Sequence, residues 1–289
     1  MQFLNPEVLK EYERLTLLHP DVPEYKRPLI NCSDALRAYF SLADYFTDPS
    51  SESKEKMLIG LRSADLLYSA LSRQCVSFCG KAKYNSPIDI CSTLFFGMVK
   101  NHSFSDGNKR TALLTLLYQL YLYGYYPNCR VKDFERLVVA VASNSLSKSY
   151  RFYWKKAIKN CSDDCEVRTI SLLLKKMTKK KDHSYHLQIT TKDMVQALEQ
   201  YGTICEVENG KLHFQRVIEA NSPEVKKCNY TIVFHGWTRC VGAGVARDIL
   251  TNLSLYDQFP NYQSFIDGQE PYYSLIQQFE GPLRRLKDE

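Results

Sequence analysis

The chain has 289 residues, of which 44% are hydrophobic and 24% charged, and its formal net charge is +6. This composition is typical of a globular protein and excludes disorder throughout the chain. No run approaches the roughly 18 consecutive apolar residues of a membrane-spanning helix, and the first residues lack a basic-then-apolar signal pattern. We therefore expect a cytoplasmic protein, and the length favours two domains.

The ten cysteines are scattered and do not form the paired Cys-x-x-Cys clusters of a zinc site. The pairs Cys75/Cys79 and Cys161/Cys165 could meet on one helical face or across a hairpin, but neither brings two further ligands nearby. We interpret the cysteines as reduced thiols. The positive charge favours an acidic or phosphate-bearing partner, although an excess of this size is also usual for a solvated surface.

Apolar residues that return every three or four positions predict a mainly helical region up to about residue 172. The predicted helices span residues 33–46, 54–71, 88–100, 111–123, 132–141 and 150–159. Residues 111–123 are apolar on nearly every face, which predicts a buried central helix. Residues 74–87 contain Gly, Asn, Ser and Pro, which predict a loop or a short hairpin.

The lysine-rich run of residues 175–183 has few apolar residues and predicts a linker. It divides the chain into a first domain of residues 1–174 and a second domain of residues 184–289. The second domain is predicted to be a small α+β domain, in which Asn209-Gly210 is a strong hairpin turn signal. Its predicted elements are a helix over 191–201, strands over 203–207, 212–218 and 230–234, and a helix near 246–253.

Residues 102–110, His-Ser-Phe-Ser-Asp-Gly-Asn-Lys-Arg, lie between two apolar helices and combine several chemical functions. A helix that starts after Gly107 would present unpaired N–H groups, which attract phosphate. Arg110 would add a cationic fork for phosphoryl oxygens, and Asp106 could hold Mg²⁺ together with phosphate oxygens. His102 could take a proton from an attacking hydroxyl, because an imidazole changes charge near neutral pH.

Each of these residues could also have no functional role, since a lone histidine is more often structural and Asp-Gly-Asn is more often only a turn. Together, however, they resemble the Fic family signature H-x-F-x-[DE]-[GA]-N-[GK]-R at every position. The resemblance covers roughly residues 30–160. Residues 60–71 look like the helix before the flap of death-on-curing (Doc) toxins, and residues 96–101 look like their lead-in to the motif.

The resemblance implies a helical bundle with a β-hairpin flap that docks the target segment beside the nucleotide. Residues 74–84 fit this flap by position. Lys81, Lys83 and Tyr84 are therefore the candidate residues for target docking.

The resemblance also implies roles for the motif residues. His102 would be the catalytic base, Asp106 would hold Mg²⁺, and Phe104 would be the buried anchor of the loop. The residues that would bind the phosphates of ATP are Gly107, Asn108, Lys109 and Arg110.

Two positions differ from the AMP-transferring members of the family. Lys109 stands where they have glycine, and Leu113 stands where they have a second arginine. Doc-type toxins have lysine at the first of these positions, and the resemblance implies that they transfer the γ-phosphoryl group of ATP. We therefore interpret this domain as a Doc-like kinase of Ser or Thr hydroxyls. The alternatives are a protein AMP or nucleotidyl transferase and a non-catalytic Fic-scaffold binding protein.

In the Doc family the target is a threonine of elongation factor Tu, so the resemblance suggests a toxin that acts on translation. Many Fic enzymes carry an inhibitory [ST]-x-x-x-E-[GN] motif, and the nearest run, residues 51–56, falls short of it. Control is therefore expected from an antitoxin partner or from the second domain.

The element order of the second domain is also that of small αβββα RNA-binding folds, and residues 241–250 faintly resemble the last helix of HicA-type toxins. His213 and His235 are interpreted as structural, because strand histidines without partners mostly are. We interpret this domain as a regulatory or target-binding module. Nucleic acid is a candidate partner for it, but not for the first domain.

Overall fold

The computed structural model describes residues 5–25, 28–47, 57–160, 164–180, 189–219, 225–256, 265 and 271–287. The chain forms two compact units. The first unit comprises residues 1–181 and 275–289, and the second unit comprises residues 182–274. The first is mainly α and the second is a small α+β unit, so the predicted fold class is confirmed. Within the described residues, no helix has the length and apolarity that crossing a membrane requires.

In its described residues, the first unit is a helical bundle with two small antiparallel strand pairs. Its helices are α1 (Pro6–Leu18), α2 (Cys32–Thr47), α3 (Ala64–Ser72), α4 (Pro87–Asn101), α5 (Asn108–Leu122), α6 (Val131–Ala142), α7 (Leu146–Ser149), α8 (Arg151–Asn160) and α9 (Cys165–Met177). Near the end of the chain, α12 (Pro271–Gln278) crosses the boundary between the units, and α13 (Glu280–Arg285) lies within the first unit.

Helix α5 is the central helix of the first unit, as its apolar sequence predicts. All residues from 110 to 120 are buried, and the helix packs against α2, α4 and α6. Helix α4 begins where Ser86 accepts a hydrogen bond from the N–H of Asp89 and Pro87 occupies the first turn. These two helices flank residues 102–107, so the candidate motif lies between the best-packed elements of the unit.

The predicted helix over residues 54–71 is wrong at its start. Helix α3 begins only at Ala64, after Ser63, whose side chain accepts a hydrogen bond from the N–H of Leu66. Gly60 has a φ of 152°, and Leu61 forms an antiparallel bridge with Phe104. The leucine spacing suggested a helix, but backbone pairing with the motif loop holds residues 60–63 in an extended form. Residues 54–56 lie outside the described residues.

Residues 77–82 form the hairpin that the sequence predicted for the flap. Strand β1 (Ser77–Phe78) pairs with β2 (Lys81–Ala82), and the two turn residues, Cys79 and Gly80, have φ values of 49° and 73°. Two consecutive positive φ angles are typical of the tight turn that matches strand twist. The flap is therefore an ordered hairpin between α3 and α4.

The sequence predicted a linker over the lysine-rich run, but its described residues belong to a helix and a strand. Helix α9 continues to Met177, and β4 (Thr178–Lys180) then pairs with β3 (Tyr125–Pro127). The lysine side chains of β4 are exposed, whereas Thr178 is buried, so a charged sequence still forms a strand with one inward side chain. Residues 181–183 lie outside the described residues.

The end of the chain also differs from the predicted division, which placed residues 184–289 in one domain. Phe279, Leu283 and Leu286 are buried, and Phe279 packs edge-to-face on Phe134 of α6 at a centroid distance of 5.8 Å. Burial of this apolar face against α6 assigns the final helix to the first unit. The lysine-rich run of residues 175–183 had suggested that all later residues belong to the second domain.

The second unit contains a three-stranded antiparallel sheet in the order β6-β7-β8. Its elements are β5 (Ile189–Thr190), α10 (Thr191–Gln200), β6 (Thr203–Glu208), β7 (Lys211–Glu219), β8 (Val225–Val233), β9 (Cys240–Val241) and α11 (Ala243–Asn252). Asn209 and Gly210 form the predicted turn, with φ values of 49° and 72°. Leu198, Leu212 and Ile249 lie in its core.

Candidate active site

His102 is the residue at which α4 ends. Its φ and ψ angles of 49° and 53° are left-handed, a conformation that commonly terminates helices. Just before it, the side-chain amide of Asn101 donates to the carbonyl of Leu66 at 2.8 Å. The His102 side chain is exposed and lines a cleft. A fixed helix end therefore presents an accessible imidazole.

Backbone hydrogen bonds hold the motif loop against the residues before α3. The carbonyl of Ser103 accepts from the N–H groups of Arg62 and Ser63 at 2.8 and 3.1 Å. The N–H of Ser105 donates to the carbonyl of Gly60 at 3.0 Å. This pairing fixes the loop between His102 and the start of α5.

Phe104 is buried and stacks on Tyr39 of α2, with a centroid distance of 4.2 Å and an interplanar angle of 10°. The Tyr39 hydroxyl donates to the carbonyl of Leu58 at 3.2 Å and accepts from the N–H of Gly60 at 2.9 Å. Burial raises the pKa of Tyr39 to about 12. The ring pair thus joins α2 to both sides of the loop.

Asn108 is buried, and its side chain closes the loop on itself. Its Oδ1 accepts from the N–H of Phe104 and its Nδ2 donates to the carbonyl of Phe104, both at 2.9 Å. The sequence interpretation gave this residue a phosphate contact. In the structure its side chain instead bonds to the backbone of Phe104 and stabilises the loop, while its backbone N–H lies at the first position of α5.

Gly107 precedes α5 with a φ of 73° and a ψ of 17°, in the left-handed region that favours glycine. A Cβ at this position would lie 2.6 Å from the side-chain methyl of Met57. Glycine has no side chain that could cap the first N–H groups of α5. The helix therefore begins after Gly107 without a side-chain cap, which is the arrangement in which helix N-termini bind anions.

Arg110 does not lie where the sequence interpretation placed it. Its guanidinium is buried, lies 4.6 Å from the ring centroid of Phe46 and donates to the carbonyl of Arg284 at 3.3 Å. The third residue of α5 faces α2, where the Phe46 ring provides a cation–π contact. Arg110 is consequently part of the packing beside the loop rather than of the cleft lining.

A cleft of 620 Å³ lies over the motif loop, and its lining comes from distant parts of the chain. The residues are Arg62, His102, Phe104, Ser105, Asn108, Lys109, Arg285 and Lys287. Of these described lining residues, four are cationic and none is a carboxylate. The sequence analysis singled out Lys109 but missed Arg62, Arg285 and Lys287. No local pattern indicated them, because two of them are more than 170 residues from the motif.

Asp106 is the candidate ligand for Mg²⁺. Its Oδ1 accepts from the N–H of Gly107 at 2.5 Å, and the side chain is half-buried beside the N-terminus of α5. In the described part of the chain, no three His, Cys, Asp or Glu side chains are grouped as a metal site. A single carboxylate beside the N-terminus of α5 nevertheless fits Mg²⁺, which is commonly shared between one or two carboxylates and the phosphates of a substrate.

Two of the three candidate docking residues of the flap bind inside the first unit. Lys83 forms an ion pair with Asp164, and the Tyr84 hydroxyl donates to the same carboxylate at 2.9 Å. Burial acts to raise the pKa of Asp164, but the hydrogen bonds from Lys83 and Tyr84 outweigh it and hold the pKa below its ordinary value. Lys81 and Phe78 are exposed on the hairpin, so these side chains are accessible to a partner.

A comparison with protein-family models matches residues 33–120 to the Fic/DOC family. The matched region runs from α2 into α5 and includes both the hairpin and the motif loop. Searches of the curated proteins and of the solved structures found no significant match.

Proposed function

This chain carries a Fic/Doc domain over residues 33–120, and from that premise we propose that it transfers the γ-phosphoryl group of ATP to a Ser or Thr hydroxyl of a target protein. The observation that carries the proposal is Lys109, which lines the cleft at the first turn of α5. Leu113, one turn later, is an apolar side chain buried in the core, so this position supplies no cation to the cleft. This pattern agrees with the Doc-like interpretation of these two positions.

The cleft provides the charge that phosphoryl transfer needs. Lys109 and Arg62 line it beside the N-terminus of α5, and fixed positive groups stabilise the negative charge of the transferring phosphoryl group. When bound, Mg²⁺ would neutralise further phosphate charge, and Asp106 is the residue proposed to hold it. Positioning and charge neutralisation would supply most of the rate.

His102 is the proposed general base. Its exposed imidazole lines the same cleft as Lys109, so it can accept the proton of a hydroxyl that enters from solvent. The target segment would be held by the hairpin, with Phe78 and Lys81 as its exposed contacts. The hydroxyl oxygen then attacks the γ-phosphorus, and ADP leaves.

The Doc-like interpretation of the domain also suggests a biological role. We propose a toxin that acts on translation, with elongation factor Tu as the first target to test and an antitoxin as its controlling partner. These assignments rest on the Doc-like sequence alone.

The test is label transfer with Mg²⁺ and a bacterial lysate, in parallel reactions with γ-labelled and α-labelled ATP. We expect a labelled protein band from γ-labelled ATP only, lost in His102→Ala and retained in His235→Ala, which removes an exposed histidine of the second unit. Label from α-labelled ATP would identify a nucleotidyl transferase instead. Equal labelling by wild type and His102→Ala would exclude His102 as the base.

A further inference from the structure

We propose that Arg285 and Lys287, at the end of the chain, belong to the phosphate-binding site and hold the polyphosphate tail of the nucleotide together with Arg62 and Lys109. The inference deepens the proposed function and rests on it for the identity of the nucleotide. It gives the chain end a binding role that the motif sequence does not suggest.

Both residues lie at the cleft over the motif loop. Arg285 is the last residue of α13, and Lys287 follows two positions later. Both line the cleft that His102 and Lys109 also line. A ligand that enters this cleft therefore lies between the motif loop and the chain end.

Packing fixes the chain end in place. Phe279, Leu283 and Leu286 are buried. The Arg285 guanidinium forms a two-pronged ion pair with Glu135 of α6, with N–O distances of 2.9 and 2.7 Å. A guanidinium held in this way loses little further side-chain freedom when a ligand binds.

The lining of this cleft is rich in positive charge. Four cationic side chains line one cleft, and one of them, Arg285, is paired with Glu135 beside it. Arg110, one of the two cations that the sequence assigned to phosphate, is instead buried against Phe46. An extended polyanion complements such a lining, because its charges are spread over the distance that separates the cations. The adjacent N-terminus of α5 adds backbone N–H groups of the kind that bind phosphate.

The two residues are not expected to contribute equally. Glu135 already offsets part of the Arg285 charge, whereas Lys287 is exposed. Lys287→Ala is therefore the sharper variant, because it removes charge without touching the buried face of α13.

The experiment is calorimetric titration of the full-length protein with tripolyphosphate and, separately, with Mg-ATP. We expect Lys287→Ala to weaken binding roughly 5- to 10-fold and Arg285→Ala roughly 3-fold, the range of one partly exposed phosphate contact. Lys287→Arg should bind like wild type. Lys155→Ala, which removes an exposed lysine of α8 outside the cleft, should also leave affinity unchanged.

Unchanged affinity in Lys287→Ala would overturn the inference. Tighter binding would overturn it as well, because the chain end would then obstruct the cleft. The label-transfer assay separates the two proposals. If Lys287→Ala binds ATP as tightly as the wild type and still transfers the γ-phosphoryl group, only the proposed role of the chain end is refuted. If Lys287→Ala binds tripolyphosphate more weakly but the wild type transfers no phosphoryl group, only the proposed kinase activity is refuted.

Discussion

At the scale of single residues, Asn108 and Arg110 show that a motif residue can serve the site through packing. The Asn108 amide bonds both backbone groups of Phe104, and the Arg110 guanidinium lies on Phe46. Both side chains are buried. We therefore expect both residues to contribute to binding through the geometry of the loop and of the first N–H groups of α5.

We expect Asn108→Ala to destabilise the protein by about 2–3 kcal/mol, because it removes two buried hydrogen bonds and leaves the Phe104 groups unpaired. Urea unfolding measures the loss. Asn108→Asp keeps the acceptor for the N–H of Phe104, loses the donor and adds a negative charge. Its loss of stability should be smaller than that of Asn108→Ala only if the loop tolerates this charge. A stability of Asn108→Ala equal to that of wild type would mean that the loop does not depend on this side chain.

At the scale of elements, the carboxylate of Asp164 attaches the flap to the bundle. Asp164 lies at the start of α9 and binds Lys83 and Tyr84, which directly follow β2. The exposed part of the hairpin, with Phe78 and Lys81, extends beyond this attachment. The sequence-based docking residues therefore divide into one that is accessible and two that fix the hairpin.

We expect Asp164→Asn to lower stability at pH 7 by less than about 1 kcal/mol, since the pair is partly exposed. The pKa of Asp164 is lowered in the folded state, so its contribution is present above the ordinary pKa of aspartate and is lost as the pH falls through the folded value. Thermal unfolding at neutral and acidic pH should thus show a difference between wild type and variant that shrinks in acid. A difference that grows in acid would contradict this assignment.

At the scale of the whole molecule, the chain leaves the first unit at residue 181 and returns at residue 275. The returning segment buries Phe279, Leu283 and Leu286 in the first unit and brings two cations to the cleft. Truncation after residue 181 therefore removes more than the second unit. It is not a clean test of whether the second unit inhibits the first.

We expect a protein that ends at Lys181 to melt at least roughly 10 °C below the full chain. Each buried aromatic or leucine side chain contributes about 1.5–3 kcal/mol, and ~1 kcal/mol shifts the melting temperature of a domain of this size by ~2–4 °C. Calorimetry of both proteins provides the comparison, with Leu286→Ala in the full chain as an intermediate case. Equal melting temperatures would show that residues 275–289 do not stabilise the first unit.

The sequence alone determined the features that depend on neighbouring residues. Apolar periodicity predicted α2, α4 and the buried α5, and Asn209-Gly210 predicted its hairpin, because helix faces and tight turns are properties of short segments. The motif of residues 102–110 likewise indicated a histidine and a helix N-terminus at one loop.

The tertiary structure decided everything that depends on residues distant in the chain. The extended form of residues 60–63 comes from pairing with the motif loop, and the position of Arg110 comes from Phe46. The burial of the last helix against α6 and the arrival of Arg285 and Lys287 at the cleft follow from packing across more than 140 residues. Such contacts leave no periodic signal, since their free energy depends on which surfaces meet after the helices have formed.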